Sequence, residues 1–375
     1  MRRGSHLGLP RRVPDKSAAA HSCISLVTRD DRFTLGPRAE AMSRGILLVL
    51  LGVACATEHD ASFGPQTTFA TPFATQEAPA SGDRALAALP QRLTLDAPKV
   101  ELGGRLFRDV RVSGDSHLAC IDCHAFDRGG ANGQAHSNFP GRKPTAVNIP
   151  SLFNAAFNFR FGWAGNLEDI GQQLDAAMES RAAMGGTWDD ASVRLASDAR
   201  VRREFEHLYP DGLTPINLRE VLAIYSLSLI TPNSRFDRSL RGELALTADE
   251  QHGYGLFRDY GCVSCHQGIN VGGNMLQRFG VMRDYFEGRT DLTAADQGLF
   301  SKTGREEDRY VFRVPSLRNV ALTAPYFHDG SKEKLEDAVT AMASFQLGRD
   351  LDANEAGQIA AFLRTLNGEL QGRPL

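Results

Sequence analysis

Apolar residues recur at three- and four-residue intervals in four stretches of the chain, which is the spacing of one face of an α-helix. The helices predicted in this way cover about 188–199, 217–230, 333–344 and 354–366. The last of them starts close to Asp352-x-x-Glu355, which has the spacing of a capping box. Runs in which apolar and polar residues alternate are scarce. We therefore expect a mostly α-helical protein with long loops.

The only apolar run of membrane character lies near the N terminus and is short. It covers nine residues, Ile46–Ala54, whereas roughly 20 are needed to span a bilayer as a helix. Arg44 precedes the run, and a small residue followed by Cys55 ends it, which is the order of a secretory signal. Met42 lies directly before this unit, so we expect translation to start there and residues 1–54 to be upstream segment and signal peptide.

The end of this signal resembles the cleavage box of bacterial lipoproteins, in which the cysteine is lipidated. Gly52-Val53-Ala54-Cys55 has that form, although Gly52 stands where Leu is usual. An ordinary cleaved signal with Cys55 incidental is the alternative, and export is predicted in both cases. Residues 55–90 are rich in Ala, Thr, Ser and Pro without a helical or strand period, so they predict a flexible tether.

Composition bounds the function of the remainder. The chain has 375 residues, with 42% hydrophobic and 23% charged residues, as in an ordinary globular protein of two or three domains. Its formal net charge is only -3, so a general affinity for nucleic acid is not expected.

An internal duplication indicates two similar modules. Gly103–Asp109 reads GGRLFRD and Gly253–Asp259 reads GYGLFRD, and each copy leads into a Cys-x-x-Cys-His motif. Helix-start signals precede both copies, including a second capping-box spacing at Thr247–Glu250. The predicted domains are 91–245 and 246–375.

The two motifs are Cys120-Ile121-Asp122-Cys123-His124 and Cys262-Val263-Ser264-Cys265-His266. In such a motif the two thiols form thioethers with the vinyl groups of haem, and the adjacent His ligates the iron. A four-cysteine zinc site and a redox-active dithiol are the alternatives. Zinc would not require a His directly after both pairs, and a thioredoxin-type pair would lie in a βαβ context that the sequence does not show. We therefore predict two covalently bound haem c groups.

An iron held by one His has a sixth position, and its occupant decides between electron transfer and catalysis. Leu335, Val339 and Met342 lie at four- and three-residue intervals, which places Met342 on the buried face of a helix. Its thioether could ligate the second iron. From the helical spacing alone, a methionine that fills an apolar gap in the core is the favoured interpretation.

Three further segments carry a family resemblance: Asn148–Leu152 (NIPSL), Pro315–Gly330 (PSLRNVALTAPYFHDG) and Ala338–Met342 (AVTAM). Together with the two motifs, they make residues 93–370 similar to the bacterial dihaem cytochrome c peroxidase family, which includes the MauG group. The resemblance implies two cytochrome c-like haem domains with long loops and haems buried near the domain interface.

The resemblance also implies ligands for two kinds of metal. Met342 would be the axial partner of His266, which gives the second haem a relatively high potential and makes it the electron-entry haem. MauG has a Tyr at this position, so Met342 favours a peroxidase. An interdomain Ca²⁺ would be bound by the Asn148 side chain and by the main-chain oxygens of Thr323 and Pro325.

Four further roles follow from the same resemblance. Trp163 would lie between the haems as an electron bridge, and His328 would lie near the second haem in hydrogen bonding. Arg313 and Arg318 would neutralise haem propionates. Without the resemblance, Trp163 and His328 would be read as core residues, and the two arginines as surface charges.

The chain departs from the family at the distal side of the first haem. Many members have a distal His that leaves on reductive activation, but ungapped counting places Pro140 at that position, with His136 four residues earlier. If the distal ligand is missing, the iron held by His124 is permanently open to peroxide. His136 reaching the iron after a loop adjustment is the alternative.

The distal carboxylate departs from the pattern as well. The family commonly has Glu-Met where this chain has Ala183-Met184. Glu179 is the nearest substitute for the acid–base group that moves the peroxide proton. A solvated helix carboxylate is the alternative reading of Glu179.

These observations predict a periplasmic, lipid-anchored peroxidase. It would reduce hydrogen peroxide to water with electrons from a small cytochrome c or cupredoxin. The membrane would be contacted only through the N-terminal lipid, and the resemblance implies a homodimer. A MauG-like oxidase that modifies a side chain of a partner protein and a non-catalytic dihaem electron carrier are the alternatives.

Overall fold

The computed structural model describes residues 85–375. The predicted start at Met42, the signal within 1–54 and lipidation at Cys55 fall on residues outside this range, as does most of the predicted tether, 55–90. Among the described residues, no helix combines the length and the apolar character that crossing a bilayer requires.

Helices make up most of the regular structure of the described residues. Before residue 245 they are α1 (Ala97–Leu106), α2 (Cys120–Cys123), α3 (Ile170–Glu179), α4 (Trp188–Ala196), α5 (Ala199–Leu208), α6 (Pro215–Ser228) and α7 (Arg235–Leu240). After it they are α8 (Ala248–Asp259), α9 (Phe300–Thr303), α10 (Leu335–Leu347) and α11 (Ala353–Arg364). Two antiparallel strand pairs are present: β1 (Leu276–Arg278) with β2 (Val311–Arg313), and β3 (Glu369–Leu370) with β4 (Arg373–Pro374). The prediction of a mostly α-helical protein is confirmed.

All four periodic stretches are helical. Three of them correspond to α6, α10 and α11, with ends that differ from the prediction by a few residues. The stretch 188–199 ends earlier than predicted because the Asp198 side chain accepts a hydrogen bond from the N–H of Arg200 and caps a new helix, α5. The periodic pattern did not predict α3 or α5.

The predicted capping boxes are present at both helix starts. The Thr247 side chain accepts from the N–H of Glu250, and the Glu250 carboxylate accepts from the N–H of Thr247. Asp352 and Glu355 make the same reciprocal pair before α11. These side chains satisfy backbone donors that a helix start otherwise leaves unpaired.

The duplicated segment places a glycine at a helix crossing in each module. Gly103 of α1 packs on α6, where an added Cβ would lie 2.5 Å from the main-chain oxygen of Val221. Gly253 of α8 packs on α11, where an added Cβ would overlap the main-chain oxygen of Gln358. Only glycine permits such close contact between helix backbones. The duplicated sequence segment therefore forms the same kind of close helix crossing in both modules.

Two main hydrophobic cores follow from these crossings. Leu102 and Leu106 of α1 belong to the first core together with Leu218 and Leu222 of α6. The second core contains residues of α8, α10 and α11, among them Phe257, Leu335, Ile359 and Phe362. Cys120, the first residue of the first motif, packs against the first core, and Cys262, the first residue of the second motif, packs against the second core.

The chain ends cross the predicted boundaries. Leu86, 1% exposed, belongs to the second core, and the N–H of Leu89 donates to the buried Asp237 at 3.1 Å. The last residues of the predicted tether are therefore packed rather than flexible. Phe236 also belongs to the second core, so the change from the first core to the second begins before residue 245.

Candidate haem sites

Both Cys-x-x-Cys-His motifs form a single tight turn. The N–H of His124 donates to the main-chain oxygen of Cys120 at 3.0 Å, and the N–H of His266 donates to that of Cys262 at 2.9 Å. A bond over four residues places each His one turn after the first Cys, close to the side of the turn that carries the cysteines. Each motif thus carries its two cysteines and its His on one turn of backbone, as attachment of one haem requires.

Burial holds the thiols of Cys120, Cys123 and Cys262 in the neutral state. Burial raises the pKa of Cys120 to about 12 and the pKa values of Cys123 and Cys262 to about 11. Zinc sites and reactive dithiols need thiolates, which low pKa values favour. In the described part of the chain, the only three or more His, Cys, Asp or Glu ligand atoms that lie within 4.8 Å of one another come from Asp296, His328 and Asp329. A zinc site of four cysteines is therefore not formed.

His124 has a defined tautomer. Its Nδ1 lies 3.0 Å from the main-chain oxygen of Gly130, and because a carbonyl oxygen only accepts, Nδ1 carries the proton. Burial lowers the pKa of His124, although the bond to Gly130 acts in the opposite direction. A neutral imidazole protonated at Nδ1 presents the lone pair of Nε2, which is the form that ligates a metal.

The second motif borders a large, mainly apolar cavity. Cys262, Cys265 and His266 line it, and α10 contributes Leu335, Val339 and Met342 to its wall. The helical spacing of these three α10 residues thus corresponds to a shared cavity face.

His266 is neutral because burial lowers its pKa to about 4. Gly272 lies beside it with φ +121°, a backbone conformation that residues with a side chain rarely adopt. An added Cβ there would overlap the main-chain oxygen of Pro315 and lie 3.1 Å from His266 Nδ1. A glycine at this position therefore allows the backbone to close over the imidazole.

The two arginines of the second site differ in their partners. Arg318 forms an ion pair of 2.7 Å with Asp237, and both side chains are fully buried. Arg313 is 6% exposed and has no carboxylate partner among the described residues; it donates to the Gly162 oxygen at 3.2 Å, and burial lowers its pKa to about 10. Both arginines line the cavity. An apolar cavity with a buried, uncompensated cation fits an apolar macrocycle that carries anionic propionates.

The three predicted calcium ligands, Asn148, Thr323 and Pro325, line the same cavity. The Asn148 Nδ2 donates to the Gln134 oxygen at 2.8 Å. This bond leaves the amide Oδ1 available as a ligand atom. Side-chain and main-chain oxygens are the donor set that Ca²⁺ prefers.

Trp163 is also part of the cavity wall. Its Nε1 donates to the Asn148 oxygen at 2.8 Å, and its ring contacts the His328 ring edge-on at 6.4 Å between centroids. The main-chain oxygen of Trp163 accepts from the N–H of Arg313 in β2 at 2.9 Å. The indole is thereby fixed between the 148 loop and the small sheet.

His328 has a partner that the sequence reasoning missed. Its Nε2 lies 2.9 Å from Asp296 Oδ1, and both residues are buried. Because a carboxylate accepts, Nε2 carries the proton. The guanidinium of Arg289 lies 3.9 Å from Asp296 and 3.3 Å from Asp329, so these carboxylates already have a cation. No local spacing joins residues 296 and 328, and the sequence offers no signal for this pair.

The two candidates for the distal side of the first site are both exposed. His136 is exposed, and its Nδ1 bonds to the Thr145 oxygen at 2.8 Å. Glu179 ends α3 with an exposed side chain that forms no hydrogen bond or ion pair with the described residues. Neither of them lines the cavity beside the second motif, and neither do Cys120, Cys123 and His124. Arg142, which the sequence reasoning did not select, hydrogen-bonds to the Ala183 oxygen.

The chain is similar to known haem proteins in sequence and in structure. The family profile for di-haem cytochrome c peroxidase matches residues 97–245. Cytochrome c peroxidase from Escherichia coli is 39% identical over 282 residues, which are 75% of this chain and 60% of that protein. Cytochrome c551 peroxidase from Pseudomonas aeruginosa is 36% identical over 315 residues, covering 80% of this chain and 90% of that protein.

One solved structure supports the same assignment. A MauG-like protein associated with microbial copper homeostasis superposes with a TM-score of 0.65 at 28% identity, covering 74% of this chain and 94% of that one. The haem-attachment turns, the cavity and these similarities agree. The chain belongs to the di-haem cytochrome c peroxidase family.

Proposed function

We propose that this chain reduces hydrogen peroxide to water with two electrons from a small cytochrome c or cupredoxin. One observation carries the proposal. Two haem-attachment turns occur in one chain, and the second shares its cavity with Met342; by ungapped counting, Pro140 would stand where the family has its distal histidine after the first. Such unequal sites suit a division between electron entry and reaction with peroxide.

The second site, in domain 246–375, would receive electrons. Cys262 and Cys265 would hold its haem, and His266 with Met342 would ligate the iron, a ligand pair that raises the reduction potential. Arg313 would neutralise a propionate, because it is a buried cation without a carboxylate partner in the described chain. Arg318 is less suited to this role, because Asp237 already compensates its charge.

The first site, in domain 91–245, would react with peroxide. Cys120 and Cys123 would hold the haem, and His124 would ligate it through Nε2, since its Nδ1 proton is committed to Gly130. Because the His136 side chain is exposed, we do not assign it as a second ligand of this haem, and the site would stay open to the substrate. The haem, when bound, supplies the redox chemistry that breaks the peroxide bond.

Glu179 is our candidate for moving the peroxide proton. The backbone returns on itself beside it, because the N–H of Met184 donates to the Ala177 oxygen at 3.1 Å and the N–H of Gly186 to the Met178 oxygen at 2.9 Å. Glu179 therefore lies next to the Ala183 position, where the family carries its carboxylate. Its side chain has no competing partner among the described residues, so it is free to turn toward the site.

Four finer parts of the proposal concern calcium, the path of electrons between the sites, the location of the protein and its oligomeric state. Asn148, Thr323 and Pro325 would bind one Ca²⁺ beside Trp163, and the indole would carry electrons between the sites. The signal that ends at Cys55 would export the chain to the periplasm, with lipidation as the membrane anchor. The mature protein would form a homodimer.

Donor oxidation tests the function directly. Purified protein with both haems attached should oxidise reduced cytochrome c or cupredoxin only when peroxide is added. Glu179→Gln should slow this reaction at every donor concentration, whereas Glu206→Gln, at another exposed helix position, should not. Absence of donor oxidation after any reducing pre-treatment, with cyanide binding to neither haem, would instead indicate an electron carrier. Peroxide-dependent covalent change in a partner protein without donor oxidation would indicate a MauG-like oxidase.

A further inference from the structure

A cluster of aromatic rings extends from the second cavity to the protein surface. It consists of Phe279, Tyr285, Phe286, Tyr310, Phe312, Phe327 and Phe345, and we refer to it as the aromatic cluster. Phe279, Phe312 and Phe327 line the cavity that holds Met342 and His266. The cluster thus begins at the wall of the proposed electron-entry site. None of the proposed roles uses it.

Tyr285 is the centre of this cluster. Its ring stacks on Phe279 at 4.0 Å with an interplanar angle of 15°. Edge contacts join it to Phe345 at 5.0 Å, Phe286 at 5.2 Å and Phe327 at 5.9 Å. One ring in van der Waals contact therefore separates the phenol from the cavity. An electron can therefore pass between the phenol and the cavity through rings that are in direct contact.

The other end of Tyr285 reaches the surface. Its hydroxyl lies 3.0 Å from the hydroxyl of Ser331, which is exposed. Removing an electron from a phenol makes its proton strongly acidic, so oxidation requires a nearby acceptor. Ser331 Oγ can accept that proton and pass another to water. Tyr285 therefore combines an electron path inward with a proton path outward.

A second path joins the cluster to Trp163. The His328 ring lies 6.4 Å from the Trp163 ring and 6.1 Å from the Phe286 ring, and Phe286 contacts Tyr285. An electron from Tyr285 can therefore reach either the second cavity or the Trp163 indole through rings that are in contact.

We propose that Tyr285 is a redox-active residue that discharges oxidising equivalents when no electron donor is present. The proposal rests on the peroxidase function proposed above, which supplies the oxidant. Tyr285 gives up one electron, which replaces one of the two electrons that the protein loses when it reduces peroxide. The O–H proton of Tyr285 passes to Ser331 and then to water. The neutral tyrosyl radical is reduced by one electron and one proton from a small solution reductant such as ascorbate. The relay protects the protein from self-oxidation.

The test uses the protein with both haems attached, treated with peroxide without donor and frozen for EPR. Wild type should show a tyrosyl radical, and Tyr285→Phe should lose most of that signal. The same variant should bleach its haem after fewer peroxide additions than wild type, and ascorbate should restore protection only where Tyr285 is present. Donor-dependent peroxidase activity should be unchanged, because Tyr285→Phe keeps every ring contact.

Three matched variants decide whether the assignment is specific. Tyr209→Phe removes a phenol from the first core, away from the cluster. Tyr254→Phe removes one that contacts Phe362 and through it Phe257 beside His266. Tyr310→Phe removes one that stacks on Phe286 at 4.1 Å. The proposal expects all three to keep the radical signal and the resistance to bleaching.

Loss of the signal in Tyr254→Phe or Tyr310→Phe but not in Tyr285→Phe would place the radical elsewhere and overturn the assignment. An active wild type without any tyrosyl radical would overturn the relay and leave the proposed function intact. A wild type that oxidises no donor would overturn the proposed function and, with it, the relay.

Discussion

Trp163 donates its indole proton to the main-chain oxygen of Asn148 at 2.8 Å, and the N–H of Asn148 donates to the main-chain oxygen of His328 at 2.8 Å. The proposed electron bridge, a proposed calcium ligand and the buried histidine are therefore joined by two consecutive hydrogen bonds. A displacement of the 148 loop would move the indole, so calcium binding and electron transfer are expected to be coupled.

Trp163→Phe should slow electron delivery from the second site to the first. The substitution keeps an aromatic ring but removes the bond to Asn148, whose loss costs about 0.5–1.5 kcal/mol of stability. Stopped-flow oxidation of the pre-reduced protein by peroxide measures the rate. Trp188→Phe is the matched control, since Trp188 donates to Asp175 at the same distance of 2.8 Å and packs against the first core. Equal slowing in both variants would mean that Trp163 acts only through the fold.

Met342→His should lower the reduction potential of the second haem. Replacing the thioether by imidazole removes the ligand that raises the potential of a His-ligated haem. Potentiometric titration followed by absorbance measures the change, and donor-driven turnover should fall with it. Met282→Leu is the control, because Met282 is 61% exposed and packs at the end of α10. An unchanged potential in Met342→His would exclude Met342 as a ligand.

Arg318→Met should destabilise the fold by about 3–5 kcal/mol, because it leaves the charge of Asp237 buried without its partner. Removing both charges in Arg318→Met with Asp237→Leu should recover most of this loss, since a buried ion pair is weak evidence for net stability. Denaturant unfolding of the three proteins gives the free energies of unfolding. If the double variant is as unstable as the single one, the cost comes from packing rather than from charge.

Gly253→Ala should lower the free energy of unfolding by about 1–3 kcal/mol, because overpacking forces the backbones of α8 and α11 apart. Gly255 is two residues further along the same helix, and an added Cβ there meets no atom within 4 Å. Gly255→Ala should therefore stabilise the protein by about 0.5–1 kcal/mol through helix propensity. Thermal unfolding of the pair separates the two effects. Similar losses at both positions would contradict the close helix crossing.

Asp296 should make the protein sensitive to acid. Burial alone would raise its pKa, but hydrogen bonds from Thr293 and His328 outweigh burial and hold the pKa below the ordinary value. A carboxyl whose pKa is depressed by folding stabilises the native state above its unfolded pKa, about 3.9, and this stability is lost as the pH falls through the folded value. Asp296→Asn should flatten the acid side of a stability-against-pH curve. Parallel curves for wild type and variant would contradict this role.

The features predicted from the sequence are those that short-range chemistry controls. A capping box such as Asp352–Glu355 acts within one turn, and the Cys-x-x-Cys-His turns close a hydrogen bond over four residues. The periodic stretches become α6, α10 and α11 because each presents a continuous apolar face to a neighbouring helix. The same spacing placed Met342 on the buried face of α10, and the structure shows that this face lines the cavity.

The relations that complete the second site depend on the folded chain. Arg313 and Arg318 are five residues apart and look alike in sequence, yet Asp237, far away along the chain, pairs with one of them and leaves the other uncompensated. Asp296 reaches His328, and Tyr285 collects four aromatic rings, only because the loops between helices pack around one cavity. Local sequence rules act over a few residues, whereas burial, charge compensation and ring packing depend on which distant segments the fold brings together, so only the tertiary structure decided them.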